Sequence, residues 1–219
     1  MSKKVFIFDM DGVLVDSERA WEACGEEAFL AHLFGPEIAR AIGDNVGISI
    51  RTQYEIAKAH GFTMSYDTYI QKYTERAVDV YKAAHITPGA DTLVDFLLKH
   101  DFHLGLVSSS PMSWINFVLP RLPWVAHLET IISLNDRLDL TPKPAPDGYL
   151  QALKDLEVTA DHTMILEDSN SGIKSARAAH IYVVGLKVNL IDGYVQTGAD
   201  DYVDTMDHVI PYIKKRFAL

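Results

Sequence analysis

The chain has 219 residues, 48% of them hydrophobic and 23% charged, with a formal net charge of −10 at pH 7. That length fits one large domain, or one domain carrying an insert, and the apolar fraction suffices for a packed core. The acidic balance argues against a nucleic-acid surface, which requires clustered basic residues. The longest basic runs, Lys3-Lys4 and Lys214-Lys215-Arg216, read as solvated ends. Cys24 is the single cysteine, so no intrachain disulfide is possible. Its acidic helical surroundings mark it as a packing residue rather than a nucleophile. Asp9 and Asp11 cut the first apolar run too early for a signal peptide, and no stretch approaches the length of a membrane span. The expected address is the cytoplasm, and a monomer is the default expectation.

Val5-Phe6-Ile7-Phe8 is β-prone and reads as a short buried strand. Asp9 and Asp11 follow where it ends, with Gly12 straight after. Side chains at i and i+2 leave a strand on the same side, so the two carboxylates converge. Such a pair repels and needs a cation, a shared proton or both. It suits a magnesium site, it suits a nucleophile paired with a general acid, and it also marks an ordinary strand-to-turn boundary. From 17 to about 84 the sequence is helical in character, with apolar residues at three- and four-residue spacing over 26–33, 50–60 and 66–81. Gly35-Pro36, Gly43-Asp44-Asn45 and His60-Gly61-Phe62 break it, and Ser65 is a helix N-cap candidate.

From 86 onward strands and helices alternate. A helix over 91–100 precedes a strand over 102–107 that ends in Ser108-Ser109-Ser110. A helix over 114–119, a strand over 130–133 and a helix over 147–156 follow. The strand over 163–166 stops at Glu167-Asp168-Ser169, and a helix over 171–179 and strands at 182–186 and 202–203 complete the chain. This alternation predicts an α/β fold, a Rossmann-like doubly wound parallel sheet covered on both faces. Ligands of such sheets bind at the carboxyl ends of the strands, where Asp9, Asp11, Ser108, Glu167 and Asp168 all fall. The core is then discontinuous, 1–16 and 86–219, and 17–85 is an inserted helical cap at the mouth of the site.

Four segments now carry a resemblance: Asp9-Met10-Asp11-Gly12-Val13-Leu14-Val15-Asp16-Ser17, Val107-Ser108-Ser109-Ser110, Lys143-Pro144-Ala145-Pro146-Asp147-Gly148-Tyr149 and Leu166-Glu167-Asp168-Ser169-Asn170-Ser171-Gly172. With these in this order, the chain resembles the haloacid-dehalogenase-like superfamily, in its phosphatase and β-phosphoglucomutase branch. The resemblance implies that Asp9 is the nucleophile that forms an aspartyl-phosphate. Asp11 is then the general acid, and afterwards the base that activates water; burial under a closed cap would raise its pKa for the first role. Mg2+ is the implied cofactor, with the carboxylates of Asp9 and Asp168 and the backbone carbonyl of Asp11 as ligands, an oxygen-only set that this ion prefers. Lys143 would pair with Asp9 and a phosphoryl oxygen, in a loop stiffened by Pro142, Pro144 and Pro146. Ser108, the Ser109 amide and Gly12 would bind the phosphate. Glu167 would orient magnesium waters from outside the ligand shell.

The resemblance leaves two fates for the aspartyl-phosphate: water in a phosphatase, a sugar hydroxyl in a mutase. Mutases of this branch carry a His on the first cap helix and a Lys-Gly pair before a later one. The corresponding positions here read Trp21 and Ile42-Gly43, which favours hydrolysis of small sugar or polyol phosphate monoesters over the mutase alternative. A non-catalytic phospho-Asp regulatory protein is the reading from another class, and the length and the early Asp9 argue against it. Dehalogenation lacks a role for Asp11. The nine histidines show no metal spacing. Arg51, beside the Gly43–Gly47 turn, is either a substrate contact or an exposed helix charge.

Overall fold

The computed structural model describes residues 3–43 and 48–219. The turn expected at 43–47 therefore lies mostly outside the described residues. Strand β1 (Lys4–Phe8) is followed by five helices: α1 (Ser17–Ala23), α2 (Glu26–Phe34), α3 (Pro36–Ile42), α4 (Ile50–Ala59) and α5 (Tyr66–Ala83). The remaining chain runs α6 (Ala90–Lys99), β2 (Phe102–Ser108), α7 (Met112–Val118), β3 (Leu128–Ser133), α8 (Asp147–Asp155), β4 (Thr163–Glu167), α9 (Asn170–Ala178), β5 (Tyr182–Leu186), β6 (Asp201–Val203) and α10 (Ile210–Phe217). The six strands form one sheet in the order β3-β2-β1-β4-β5-β6, and all five pairings are parallel. This is the α/β doubly wound core expected from the alternation.

β1 occupies the middle of the sheet because it can be buried on both faces. Its four apolar residues alternate across the pleat. Phe6 and Phe8 enter the core that contains Leu93, Val94 and Leu97 of α6. Val5 and Ile7 enter the other core, with Tyr149 and Ala152 of α8 and Ile173 and Ala176 of α9. An unbroken apolar run is the signature of such a doubly covered strand. Each of these side chains contributes about 1.5–3 kcal/mol by leaving water.

Capping residues set several helix starts. Ser49, Ser65 and Ser169 each accept a backbone N–H three residues on, from Thr52, Thr68 and Gly172, which satisfies a donor that the first turn leaves open. Gly35-Pro36, read as a break, is also a beginning, since Pro36 is the first residue of α3 and its fixed φ suits that position. α10 was not foreseen. Ile210, Ile213 and Phe217 give it an apolar face three and four residues apart, and Ile213 is buried. Among the described residues no helix is long and apolar enough to cross a membrane.

The helical stretch joins the sheet by two neighbouring segments. Asp16 N donates to His85 O at 2.9 Å and Thr87 N to Leu14 O at 3.0 Å, with an antiparallel bridge between Val15 and Ile86. The end of α5 is clamped as well: the Arg121 guanidinium donates to the carbonyls of Tyr81 at 2.8 Å and Ala84 at 2.7 Å.

Candidate active site

The carboxyl ends of β1, β2 and β4 bring the sequence motifs together. Asp9 leaves β1 with its N–H on Leu166 O at 3.1 Å, which keeps it beside the end of β4. Lys143 comes from the loop between β3 and α8. Its ammonium donates to Asp9 Oδ1 at 2.5 Å, to Glu167 Oε1 at 2.6 Å and to Val107 O at 3.2 Å. The loop is closed at its base by Asp147, whose carboxylate accepts Thr141 N–H at 2.8 Å. That contact holds the Asp147 carboxyl below its ordinary value of 3.8.

Asp9, Glu167 and Asp168 are buried, and each offers a carboxylate oxygen within 4.8 Å of the others. Both oxygens of Glu167 are already committed. Oε1 accepts from Lys143 and, at 2.7 Å, from Tyr149 OH. Oε2 accepts from the N–H groups of Asp168 and Ser169 and from Ser169 OH, at 3.1 to 3.2 Å. Glu167 thus fixes Lys143 on one side and the Asp168 loop on the other. Room for it comes from Gly172, where a Cβ would lie 1.7 Å from Oε1. Asp168 rests on Gly12 in the same way: with φ at +71°, Gly12 has no Cβ where one would meet Asp168 Oδ2 at 1.8 Å. Asn189 Nδ2 donates to Gly12 O at 3.1 Å and Gln196 Nε2 to Asp168 O at 2.6 Å, so both turns are held from outside.

The electrostatics of this cluster are unbalanced. Burial pushes the Asp9 carboxyl well above its usual range; Lys143 opposes this, and Glu167 and Asp11 add to it. Asp168 is raised by burial and by Glu167 and Asp9. Burial acts to lower Lys143, but Asp9 and Glu167 outweigh it and hold the ammonium above its ordinary value. Three buried carboxylates share one ammonium, and a divalent cation would relieve the excess. The donor set fits Mg2+: oxygen atoms only, with Asp9 and Asp168 able to turn an oxygen toward the ion.

Asp11 stands apart from that cluster. Tyr81 OH, from the last turn of α5, donates to its Oδ1 at 2.6 Å, and Ser110 OH donates to its Oδ2 at 2.7 Å. Burial and the neighbouring Asp11 keep the Tyr81 phenol protonated, well above its usual range. Ser108 is buried at the end of β2, and its Oγ accepts Ser110 N–H at 3.0 Å. Its own O–H remains available to donate. Ser109 and Ser110 line a cavity with Asp11 beneath α1, α4 and α5. Arg51 turns elsewhere, toward the carbonyls of Leu134 and Leu140 at 3.4 Å. Tyr81, Ser110 and Tyr149 were not picked out as functional residues from sequence. Ser110 sits in the serine cluster, but Tyr81 reads only as one more apolar position of its helix.

The chain belongs to the haloacid dehalogenase-like hydrolase family, whose model matches residues 6–186. It is 28% identical over 180 residues to hexitol phosphatase B of Escherichia coli (strain K12), covering 80% of this chain and 79% of that one. It is 26% identical over 185 residues to validoxylamine A 7'-phosphate phosphatase of Streptomyces hygroscopicus subsp. limoneus, covering 84% and 85%. Its fold matches the crystal structure of a hydrolase from Pseudomonas syringae with a TM-score of 0.76 at 22% identity, over 97% of this chain and 99% of that one.

Proposed function

We propose that the protein is a Mg2+-dependent phosphatase acting on small phosphate monoesters of the sugar or polyol kind, through an aspartyl-phosphate on Asp9. The observation that carries the reading is the division of labour between the two aspartates. Asp9 contacts the Lys143 ammonium, whereas Asp11 faces the cavity under two hydroxyl donors. An attacking carboxylate needs a cation to approach a phosphate; a proton donor needs to face the leaving group.

In the first step an oxygen of Asp9 bonds to phosphorus as the P–O bond to the alcohol breaks, and Asp11 gives its proton to the leaving oxygen. In the second, Asp11 takes a proton from water, whose oxygen attacks phosphorus and releases inorganic phosphate and free Asp9. Lys143 neutralises charge on the transferring oxygens, and the Ser108 hydroxyl and Ser109 amide hold two of them. Asp9, Asp168 and the Asp11 carbonyl would hold Mg2+, which supplies charge stabilisation on the phosphoryl group when bound. Glu167 keeps Lys143 and Asp168 in place. Residues 17–85 act as a cap that shields the reaction from bulk water, over a core of 1–16 and 86–219. The named relatives are a validoxylamine A 7'-phosphate phosphatase and a hexitol phosphatase, which supports the substrate class; the protein acts on a small phosphorylated metabolite as a cytoplasmic monomer.

The test is phosphate release from a panel of sugar, polyol and nucleotide phosphates with Mg2+, run beside Asp9→Asn and with chelator. Release that both interventions abolish is the expected result. No release from any ester by a folded protein would refute hydrolysis and turn attention to mutase activity.

A further inference from the structure

We infer that Gln196, on the loop between β5 and β6, is a positioning residue for the metal site: its amide fixes the backbone of Asp168 from behind and so sets the affinity for Mg2+. The inference rests on the reading of Asp9 and Asp168 as Mg2+ ligands given above.

Gln196 is buried. Its Nε2 donates to Asp168 O at 2.6 Å and to Leu186 O at 2.8 Å. Two carbonyl acceptors settle which end of the amide is the NH2, and they leave Oε1 buried without a hydrogen bond among the described residues. An unpaired buried acceptor carries a free-energy cost that an aliphatic side chain would avoid. The fold also makes room for this oxygen. Gly185, the β5 residue paired with Glu167, has no Cβ where one would lie 2.9 Å from Gln196 Oε1 and 2.7 Å from the Tyr202 ring. The amide is kept in spite of its cost, and what it holds is Asp168. The N–H of Asp168 donates to Glu167 Oε2 at 3.1 Å and its carbonyl accepts from Gln196, so side-chain rotation is the freedom left to its carboxylate.

The same loop grips the next turn of chain. Tyr194 OH accepts Asn170 N–H at 2.7 Å, Asn170 Nδ2 donates to Val195 O at 2.9 Å, and Asn170 Oδ1 accepts Thr197 N–H at 2.7 Å. Residues 194–197 therefore hold Asp168 and Asn170 as one unit. A ligand on a loose backbone must be ordered when the ion binds, and that ordering is subtracted from affinity. Gln196 is uncharged, so its effect on the ion is one of placement and not of field. Loss of a hydrogen-bond partner that orients a metal ligand typically weakens binding about 10- to 100-fold.

The experiment is calorimetric titration of the full chain with MgCl2, for the unaltered protein and for Gln196→Met, which keeps the length of the side chain and removes the NH2. The Kd for Mg2+ should rise about 10- to 100-fold in the variant. Initial rates on p-nitrophenyl phosphate should show the same rise in the Mg2+ concentration for half-maximal rate, with kcat at saturating Mg2+ largely retained. A variant with a lowered Tm without metal but an unchanged Kd would make Gln196 a packing residue and overturn the inference. So would a kcat that saturating Mg2+ does not restore. If Gln196→Met does not fold, hydrogen exchange on the unaltered protein decides: saturating Mg2+ should slow exchange at the N–H groups of Asn170 and Thr197, and unchanged rates there overturn the inference. An unaltered protein that gives neither heat nor a rise in Tm with Mg2+ would instead defeat the Mg2+ reading, and the inference with it.

Discussion

Glu167→Gln tests the centre of the site without changing its shape. The substituted amide has one oxygen and one NH2, and each of its two placements sets the NH2 against donors. Placed at Oε1, it faces the Lys143 ammonium and Tyr149 OH. Placed at Oε2, it faces the N–H groups of Asp168 and Ser169, which are fixed in the backbone. Either way at least one charge-assisted hydrogen bond is lost, about 1.5–3 kcal/mol. Lys143 keeps Asp9 as its buried counterion, and relief of the repulsion that Glu167 exerts on Asp9 and Asp168 keeps the net cost within that range. In a chain of this size that corresponds to a fall in Tm of about 3–12 °C. Circular dichroism melts and urea titrations check it, with an unchanged m-value showing that the folded state keeps its compactness. A loss below 2 °C would refute the view that Glu167 fixes Lys143 and the Asp168 loop, and would leave it a free candidate ligand.

Other substitutions probe the remaining contacts. Tyr81→Phe removes the hydroxyl on Asp11 Oδ1; kcat on alkyl phosphates should fall roughly 3- to 10-fold, with a smaller loss on p-nitrophenyl phosphate, whose leaving group needs no proton. Equal losses on both would show that Tyr81 only packs. Gly12→Ala forces a Cβ onto Asp168 Oδ2 and places a side chain at φ +71°, a strain of about 1–2 kcal/mol; calorimetric titration with Mg2+ should show weakened binding or none. Asp147→Ala removes the carboxylate that closes the Lys143 loop. Because that carboxyl titrates below its ordinary 3.8, its stabilisation is present above that pH and disappears as pH falls through the lower folded value. Urea titrations at pH 7 should therefore separate variant from wild type, and the gap should narrow as pH falls below 3.8.

Much of the frame was legible because it rests on local rules. The apolar run of β1 gave its doubly buried place, and alternation of strands and helices gave the parallel sheet. Ser65 marked a helix start by its capping chemistry. Asp9, Glu167 and Asp168 could be named because their motifs lie at strand ends, and Lys143 because its proline-flanked loop carries part of the family resemblance. What could not be read depends on distant packing. Tyr81 looks like any apolar helix position until the end of α5 is brought over Asp11, 70 residues away in sequence. Tyr149 reaches Glu167 only because α8 packs against the sheet. α10 is short, and its last turn, Lys214-Lys215-Arg216, reads in sequence as a solvated end.

The central position of β1 has a consequence for how the chain is made. Lys4 pairs with Phe102, and Val5 with His103 on one side and Thr163 on the other. β1 leaves the ribosome before its neighbours and therefore waits for partners synthesised about 100 and about 160 residues later. At about 5–20 residues per second the wait is roughly 5 to 20 s for β2 and longer for β4, with Val5-Phe6-Ile7-Phe8 unpaired throughout. Helices of the intervening segment are available first, and they are the natural shelter for that run on the nascent chain. Asp9, Lys143, Glu167 and Asp168 meet only after β4 docks. Ribosome-bound chains stopped before that strand should then be protease-sensitive at their amino end.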